Sequence, residues 1–272
     1  MPARLFLFLV SLLLALGAGA APKSPDGRHL PPDIARIVAR GELVVAMLGT
    51  DTPPFFYERD GELHGIEVDL ARSIGRELGV KVRFDRSART FNQVVDIVAA
   101  GDADLGISKL SRTLARMQAV RFSDPYLSLG HALILNRLSF AQLAGTRPLP
   151  EVVRDYRGTL GVIAKSSFAD YARTNFPHAH VVEYPGWPEV MAALEKGDVT
   201  AAYRDEFEVK RVFRSNPKMA LGFRSVTFKD LRDALGIAVN VNSATLLAFV
   251  NECLAQRGDK LTVQKVLDYR EP

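Results

Sequence analysis

Apolar positions along the first half of the chain switch between the pattern of a buried strand and that of an amphipathic helix. The run ELVVAML (42–48) predicts a strand, whereas apolar residues recur on one helical face of IEVDLARSIGREL (66–78) before Gly79. VKVRFD, FNQVVDIVAAG and DADLGIS then follow as strand, helix and strand. Strands that alternate with helices of roughly ten to fifteen residues predict βαβ units and a mainly parallel sheet.

The second half of the chain repeats this order. Strands are predicted at RGTLGVI, HVVEY and DVTAAYRD, and helices at FADYARTNF and WPEVMAALEKG. The segments 91–109 and 187–205 align without a gap: each begins with an aromatic residue, has Gly-Asp ten residues later and ends in a strand. This repeat predicts two α/β domains of similar plan.

Polar residues stand where the matching strands of the two halves end. Ser108 and Lys109 follow one strand, and Arg204 and Asp205 end the other. Ligands of open α/β sheets bind beyond the carboxyl ends of the strands. If the two domains face each other, a hydroxyl and a cation oppose a carboxylate, and a zwitterion would fit between them.

The first residues have the pattern of a secretory signal peptide. MPARLFLFLVSLLLALGAGA contains one basic residue, an apolar run and a small-residue end, so we expect residues 1–20 to be removed on export. No cysteine stands at the predicted cleavage site, so no lipid anchor is expected, and Cys253 alone cannot form an internal disulfide.

The formal net charge of +4 is spread over interspersed charges, which does not indicate nucleic acid as a partner. The histidines lack metal-site spacing, so no metal site is expected.

The segment GISKLSRTLARMQAVRFSDPY (106–126) places cations and hydroxyls between a predicted strand and a short helix. Arginine can bind a carboxylate through two parallel hydrogen bonds, and the free N–H groups of a helix start add to an anion site. Arg116 lies one turn into this helix, and Ser111 or Thr113 is expected to cap it. The segment therefore predicts a site for a small carboxylate.

Several stretches together resemble one protein family in order and spacing. They are GELVVAM, PPFFY, GELHGIEVDLARSIGRELGV, SKLSRTLAR with FSDPY, RGTLGVIAKSS and AAYRDE. They resemble the type II periplasmic solute-binding proteins of ABC importers, in the polar amino-acid family (bacterial extracellular solute-binding proteins, family 3). The resemblance implies an α/β fold of two lobes with mainly parallel sheets, joined by two crossovers around a ligand cleft. We expect lobe one at residues 30–136 plus 232–272 and lobe two at 137–231.

The resemblance also implies a function. We expect a monomeric periplasmic protein without a cofactor that binds an amino acid or a related carboxylate and delivers it to an ABC transporter permease. Arg116 would clamp the ligand carboxylate and Asp205 would hold its α-amino group. The full set of implied ligand-binding residues is Ser108, Lys109, Ser111, Arg116, Ser167, Asp205 and Phe91.

Two features depart from a simple neutral amino-acid site. Lys109, Arg112 and Arg204 make the expected cleft cationic, which favours an acidic amino acid or a dicarboxylate as the ligand. Some members of this fold resemble cyclohexadienyl or arogenate dehydratases, and Glu208 stands where those enzymes place a catalytic glutamate. No GxSxG, HExxH, P-loop or CxxC motif is present. The main interpretation is therefore a binding protein without enzymatic activity, and a dehydratase is the alternative.

Overall fold

The computed structural model describes residue 27, residues 29–258 and residues 260–269, so the predicted signal peptide lies outside the described residues. The elements of the first part of the chain are α1 (Pro32–Arg40), β1 (Glu42–Leu48), β2 (Tyr57–Arg59), β3 (Glu62–His64), α2 (Ile66–Leu78), β4 (Lys81–Ala88), α3 (Phe91–Ala100), β5 (Leu105–Gly106), α4 (Leu114–Met117) and β6 (Val120–Phe122). Those of the second part are β7 (Leu127–Asn136), α5 (Arg137–Ala144), α6 (Leu149–Arg154), β8 (Thr159–Ile163), α7 (Ser167–Asn175), β9 (His180–Tyr184), α8 (Trp187–Lys196), β10 (Ala201–Asp205), α9 (Glu206–Ser215), α10 (Met219–Gly222) and β11 (Phe223–Leu235). The chain ends with β12 (Ala238–Asn240), α11 (Ala244–Gln256) and α12 (Val263–Leu267).

Two five-stranded sheets organise these elements. The first has the order β4-β1-β5-β12-β6 and the second β11-β7-β10-β8-β9. In the first sheet β1 runs parallel to β4 and β5, and β12 runs antiparallel to β5 and β6. In the second sheet β8 runs parallel to β9 and β10, and β7 runs antiparallel to β10 and β11. The predicted α/β fold of two lobes is confirmed, and each sheet also contains antiparallel pairs.

The chain passes twice between the sheets, once between β6 and β7 and once between β11 and β12. β7 lies wholly in the second sheet, because it pairs along its length with β10 and β11. Judged by sheet pairing, the boundary from lobe one to lobe two would lie before Leu127, whereas the sequence placed it after Asn136. The boundary from lobe two back to lobe one would lie after Leu235, whereas the sequence placed it before Arg232. The division of the chain into lobes by residue number stays a prediction.

Each sheet is packed on both faces, because successive side chains of a strand point to opposite sides. Val44 and Ala46 of β1 join one apolar cluster, whereas Leu43 and Val45 join the cluster on the other face. In β10, Ala202 and Tyr203 likewise belong to different clusters. The central strands are thus buried on both faces, and the polar residues lie where these strands end.

Capping residues define the starts of four helices that follow strands β4, β5, β8 and β10. Thr90 forms a capping box with Gln93 at α3, Thr113 caps α4, Ser166 caps α7 and Asp205 caps α9. Between Ser111 and Thr113 as candidates, Thr113 is the cap. Among the described residues, no helix combines the length and the apolar character needed to cross a membrane.

Candidate functional site

The predicted site residues gather between the two sheets. A small inner cavity of about 10 Å³ is lined by Phe91, Lys109, Ser111, Arg116, Ser166, Ser167, Phe168, Arg204, Asp205 and Asp233. Ser108 is the predicted residue that does not line it. Its hydroxyl instead accepts a hydrogen bond from the Leu48 N–H at 3.0 Å, which ties the end of β5 to β1. The remaining predicted residues come from both lobes and converge on this cavity.

Arg116 is buried at the lobe-one side of the inner cavity, with 7% of its surface exposed. Its Nε and one terminal nitrogen donate to Asn92 Oδ1 at 3.2 and 3.1 Å, and the other donates to the Ser111 carbonyl at 3.1 Å. Burial lowers the pKa of the guanidinium, and the nearby Asp233 charge opposes this shift. A guanidinium carries five N–H donors. Within the described structure three of them are used, so two remain for an anion.

Lys109 crosses the cleft from lobe one to lobe two. Its Nζ donates to Asp205 Oδ2 at 2.8 Å and to Glu208 Oε1 at 2.9 Å. The ammonium also lies 4.9 Å from the centre of the Phe55 ring and 5.1 Å from that of Phe207, so both rings can stabilise its charge. Lys109 is thereby the centre of a buried ion-pair network that joins the two lobes.

Glu67 supports the backbone of Lys109 from inside lobe one. Its carboxyl oxygens accept the Lys109 N–H at 2.8 and 3.1 Å, and Tyr126 donates its hydroxyl to the same carboxyl group. Burial raises the pKa of Glu67 to about 7, although the hydrogen bonds from Tyr126 and Lys109 act in the opposite direction. A buried carboxyl from α2 therefore holds the segment that carries Lys109.

Hydroxyl groups from the two lobes meet at the Asp233 carboxylate. Ser111 Oγ donates to Asp233 Oδ2 at 2.9 Å and lies 2.7 Å from Ser167 Oγ. A hydroxyl has one hydrogen, so Ser167 is the donor to Ser111. The Tyr171 hydroxyl also donates to Asp233, at 3.4 Å. Burial raises the pKa of Asp233 to about 6, the Ser111 hydrogen bond lowers it and the Asp205 charge raises it.

Arg204 separates the inner cavity from a larger space outside it. Its guanidinium carbon lies 5.6 Å from the centre of the Phe91 ring and 5.7 Å from that of Phe168. Its Nε lies 3.5 Å from Asp205 Oδ2 but forms no hydrogen bond within the described structure. Phe91, which the sequence analysis expected to pack on a ligand, packs here on this arginine.

The outer chamber is a cleft of about 420 Å³ that shares Phe91 and Arg204 with the inner cavity. Its charged lining residues are Asp51, Arg89, Glu189, Arg204, Glu208 and Arg211. Trp187 also lines it, and its buried indole N–H has no hydrogen-bond partner among the described residues. The cleft thus consists of the small inner cavity and the much larger outer chamber.

Glu208 is buried in the charge network of the second lobe. Besides Lys109, it accepts two hydrogen bonds from Arg211, at 3.0 and 2.7 Å. Burial raises the pKa of Glu208, but the charges of Lys109, Arg211 and Arg204 outweigh burial and lower it to about 2. Three neighbouring cations therefore favour the carboxylate form of Glu208.

Sequence reasoning missed several residues of this site. Asn92, Glu67 and Asp233 hold Arg116, the Lys109 backbone and Ser111, and Phe55 and Phe207 flank the Lys109 ammonium. Asn92 directly follows Phe91, so its place in the first turn of α3 was a usable signal. The described residues contain no group of three or more His, Cys, Asp or Glu side chains arranged to hold a metal ion.

Comparison with protein families places most of the chain in one group. Residues 43–268 match the family model of the bacterial extracellular solute-binding proteins, family 3. The chain is 24% identical over 256 residues to the ABC transporter glutamine-binding protein GlnH of Bacillus subtilis, covering 93% of this chain and 89% of that protein. It is also 24% identical to the L-cystine-binding protein TcyJ of Escherichia coli K12, covering 93% of this chain and 90% of that protein.

A further relative matches over a shorter segment. The chain is 36% identical over 129 residues to the membrane-bound lytic murein transglycosylase F of Maricaulis maris, which is 47% of this chain. This chain spans only 28% of the length of that transglycosylase.

Solved structures show the same fold. An ancestral amino acid-binding protein, described as a precursor of cyclohexadienyl dehydratase, superimposes with a TM-score of 0.69 at 24% identity, covering 86% of this chain and 97% of that chain. An L-arginine-bound ABC transporter substrate-binding protein from Streptococcus pneumoniae also gives a TM-score of 0.69, at 25% identity, covering 86% and 95%.

Proposed function

Because the chain belongs to the bacterial extracellular solute-binding proteins, family 3, we propose that it is the periplasmic binding component of an ABC importer. It would capture an amino acid or a related carboxylate between its lobes and deliver it to a membrane permease. The relatives matched over most of their length support this role, since they are named as glutamine- and cystine-binding proteins. The signal-peptide pattern supports export to the periplasm.

The observation that carries the proposal is the pair of N–H groups on the buried Arg116 that have no partner among the described residues. Buried arginine is the preferred partner of a carboxylate, because its planar fork and permanent charge match that group. Ser167 and Arg204 approach the same cavity from the other lobe. A carboxylate bound there would contact both lobes at once.

This arrangement suggests how binding works. Arg116 and the lobe-one residues would capture the carboxylate while the cleft is open. Contacts from Ser167, Arg204 and the rest of lobe two would form as the lobes close, and they would shift the equilibrium toward the closed form. The two connections between the sheets are the expected hinges. The closed surface would then be presented to the permease.

The cations around the cavity support an anionic ligand. Lys109, Arg116 and Arg204 line the inner cavity, and Arg89 and Arg211 line the outer chamber. An acidic amino acid or a dicarboxylate would place one carboxylate at Arg116 and a second acidic group near the outer arginines. This narrower ligand class is part of the proposal.

A dehydratase is the second candidate function. It is favoured by the contact between Glu208 and Lys109 in the cleft, and by the similarity in fold to a precursor of cyclohexadienyl dehydratase. Elimination of water requires an acid that protonates the leaving group. The low pKa of Glu208, near 2, makes it a poor acid at neutral pH, so binding without chemistry is the better-supported function.

A thermal-shift screen of residues 21–272 against amino acids, dicarboxylates, prephenate and arogenate tests the proposal. A ligand that binds the folded but not the unfolded protein raises the melting temperature, and the stabilisation grows with the logarithm of the ratio of ligand concentration to Kd. We expect a shift with a carboxylate ligand that is recovered chemically unchanged. Conversion of prephenate or arogenate to an aromatic product, abolished by Glu208→Gln, would establish the dehydratase instead. The absence of a shift with every compound would contradict both functions.

A further inference from the structure

The two carboxylates that line the inner cavity are both engaged by groups of the protein itself. Asp205 Oδ2 accepts from Lys109 Nζ at 2.8 Å, and Asp205 Oδ1 accepts the Glu208 N–H at 3.1 Å. Asp233 accepts hydrogen bonds from two hydroxyls, and burial raises its pKa to about 6. A ligand ammonium entering this cavity would therefore find no carboxylate that lacks a partner of its own.

The surroundings of the Lys109 ammonium are those that a bound ammonium group requires. Two carboxylates, those of Asp205 and Glu208, accept its hydrogens, and the faces of Phe55 and Phe207 lie about 5 Å away. The lysine side chain is almost completely buried, with 2% exposed. The protein thus supplies its own ammonium at this position.

The backbone at Lys109 indicates that the side chain is placed there at a conformational cost. Its φ is +50°, in the left-handed region that glycine adopts most readily. The carboxyl group of Glu67 holds the Lys109 N–H in this conformation. Strained positions of this kind persist where the surrounding structure imposes them, often at ligand sites.

The rest of the inner cavity favours negative charge. Three cations line it, Lys109, Arg116 and Arg204, against two acidic residues, Asp205 and Asp233. Arg116 keeps two N–H donors for an anion, as described above. The adjoining outer chamber of about 420 Å³ has room for the remainder of a ligand.

We propose that Lys109 occupies the ammonium position of the cleft, so that the protein selects carboxylates without an α-ammonium group over α-amino acids. The ligand class is then 2-hydroxy, 2-oxo or unsubstituted acids, including dicarboxylates. An α-amino acid would have to displace Lys109 from two carboxylates or add a fourth cation to the cavity. This inference rests on the proposed function, since it takes the inner cavity as the ligand site, and it narrows the ligand to one class.

Isothermal titration with matched acids tests this inference. The pairs are L-malate and L-aspartate, 2-hydroxyglutarate and L-glutamate, and 3-phenyllactate and L-phenylalanine, which differ only in a hydroxyl or an ammonium group. In any pair that binds, we expect the wild-type protein to bind the hydroxy acid at least tenfold more tightly. Lys109→Gly and Lys109→Met remove the ammonium group that is paired with Asp205. Both variants should therefore reduce this preference at least tenfold or reverse it.

Lys165→Gly is the matched control. Lys165 is also a lysine in the left-handed region, with φ of +53°, but its side chain is exposed and lies outside the inner cavity. We expect this variant to keep the wild-type preference. Glycine suits the backbone at both positions, and circular dichroism would verify that both variants fold. If a Lys109 variant failed to fold, the wild-type pairs would still decide the question.

The possible results separate this inference from the proposed function. Wild-type binding of an amino acid as tight as that of its hydroxy partner, unaltered by Lys109→Gly, would overturn the inference and leave the binding function standing. A Lys109→Gly protein that gains amino-acid binding absent from the wild type would support it. If neither protein binds any acid of the panel, the small-carboxylate function and the inference are both wrong.

Discussion

The inner cavity and the outer chamber share Phe91 and Arg204, but they are built in opposite ways. The inner cavity measures about 10 Å³, and contacts from Lys109 to Asp205 and from Ser111 to Asp233 join the two lobes around it. The outer chamber measures about 420 Å³, and the indole N–H of Trp187 in its wall has no partner among the described residues. Under the proposed function, we expect the inner end to bind the carboxylate that all ligands share and the outer end to contact the part of the ligand that varies.

Removal of the Arg116 side chain should have the largest effect on the inner end. Arg116→Ala leaves a bound carboxylate buried without its charged partner, so we expect a loss of roughly 2–5 kcal/mol of binding free energy. Isothermal titration with the acid found in the thermal-shift screen would measure the loss. Arg121→Ala, an exposed arginine on β6, is the control and should bind as the wild type does. Unchanged affinity of Arg116→Ala would remove the inner cavity as the ligand site.

The support of the inner end by Glu67 predicts a pH-dependent stability. Burial raises the pKa of Glu67 from its ordinary value of 4.5 to about 7, so between these pH values the folded state binds more protons than the unfolded state. The contribution of Glu67 to the free energy of unfolding should therefore fall as the pH rises through this window, by at most about 1.4 kcal/mol per pH unit.

Urea denaturation of wild type and Glu67→Gln between about pH 5 and pH 7.5 would isolate this contribution. The difference between the two unfolding free energies should change with pH, because the other titrating groups are common to both proteins. Glu77→Gln, an exposed residue on the same helix, should follow the wild type at every pH. A pH-independent difference for Glu67→Gln would mean that Glu67 is ionised throughout this window.

Two adjacent serines separate the binding role of the inner end from helix capping. Ser167 contacts Ser111 across the cleft, whereas Ser166 caps α7 through the Ala169 N–H. Ser167→Ala should lower affinity by about 1 kcal/mol, or about fivefold, with little change in stability. Ser166 also lines the inner cavity, but its hydroxyl donates to the Ile163 carbonyl and accepts the Ala169 N–H, so Ser166→Ala should lower the free energy of unfolding by about 1 kcal/mol and keep the affinity. Isothermal titration would measure the affinity of both variants, and urea denaturation would measure their stability. If the two variants lost affinity and stability to the same extent, the separate roles of Ser167 and Ser166 would be refuted.

The outer chamber should respond least, and only for some ligands. Trp187→Phe keeps an aromatic ring but removes the indole N–H, so binding of a long acid that reaches this wall should weaken by about 1 kcal/mol or less. The shortest acid that binds should be unaffected, and it serves as the internal control. Titration of both acids would sharpen the contrast between the two ends. An equal loss for both acids would show that Trp187 acts on the whole cleft.

The order of strands and helices could be predicted from the sequence. The helix predicted at 66–78 is α2, and Gly79 ends it in the left-handed conformation with φ of +68°. The strand predicted at DVTAAYRD contains β10, whose last residue, Asp205, also caps α9. Local periodicity and turn chemistry act over a few residues, so these elements are readable without knowledge of the fold. The antiparallel pairing of β12 was not predicted, because it depends on the return of a distant segment.

Trp187 and Ser108 have contacts that local patterns do not contain. Trp187, the first residue of the helix predicted at WPEVMAALEKG, packs against the second-lobe core and also lines the outer chamber. Ser108 was expected at the ligand, yet its hydroxyl is bound to the backbone of β1. Both outcomes depend on which distant segments pack against these residues, Leu48 of β1 in the case of Ser108, so local patterns do not contain them.

The sequence by itself determined the α/β units, the capped helix starts and the placement of Arg116, Lys109 and Asp205 near strand ends. The tertiary structure decided what these residues contact. Lys109 meets a carboxyl group 42 residues before it and another 96 residues after it, and Ser111 meets a carboxylate 122 residues away. Such contacts depend on how two lobes close over a buried space, where the loss of water makes each charge require a partner. For this reason the Lys109 ammonium is already paired with two carboxylates of the protein itself.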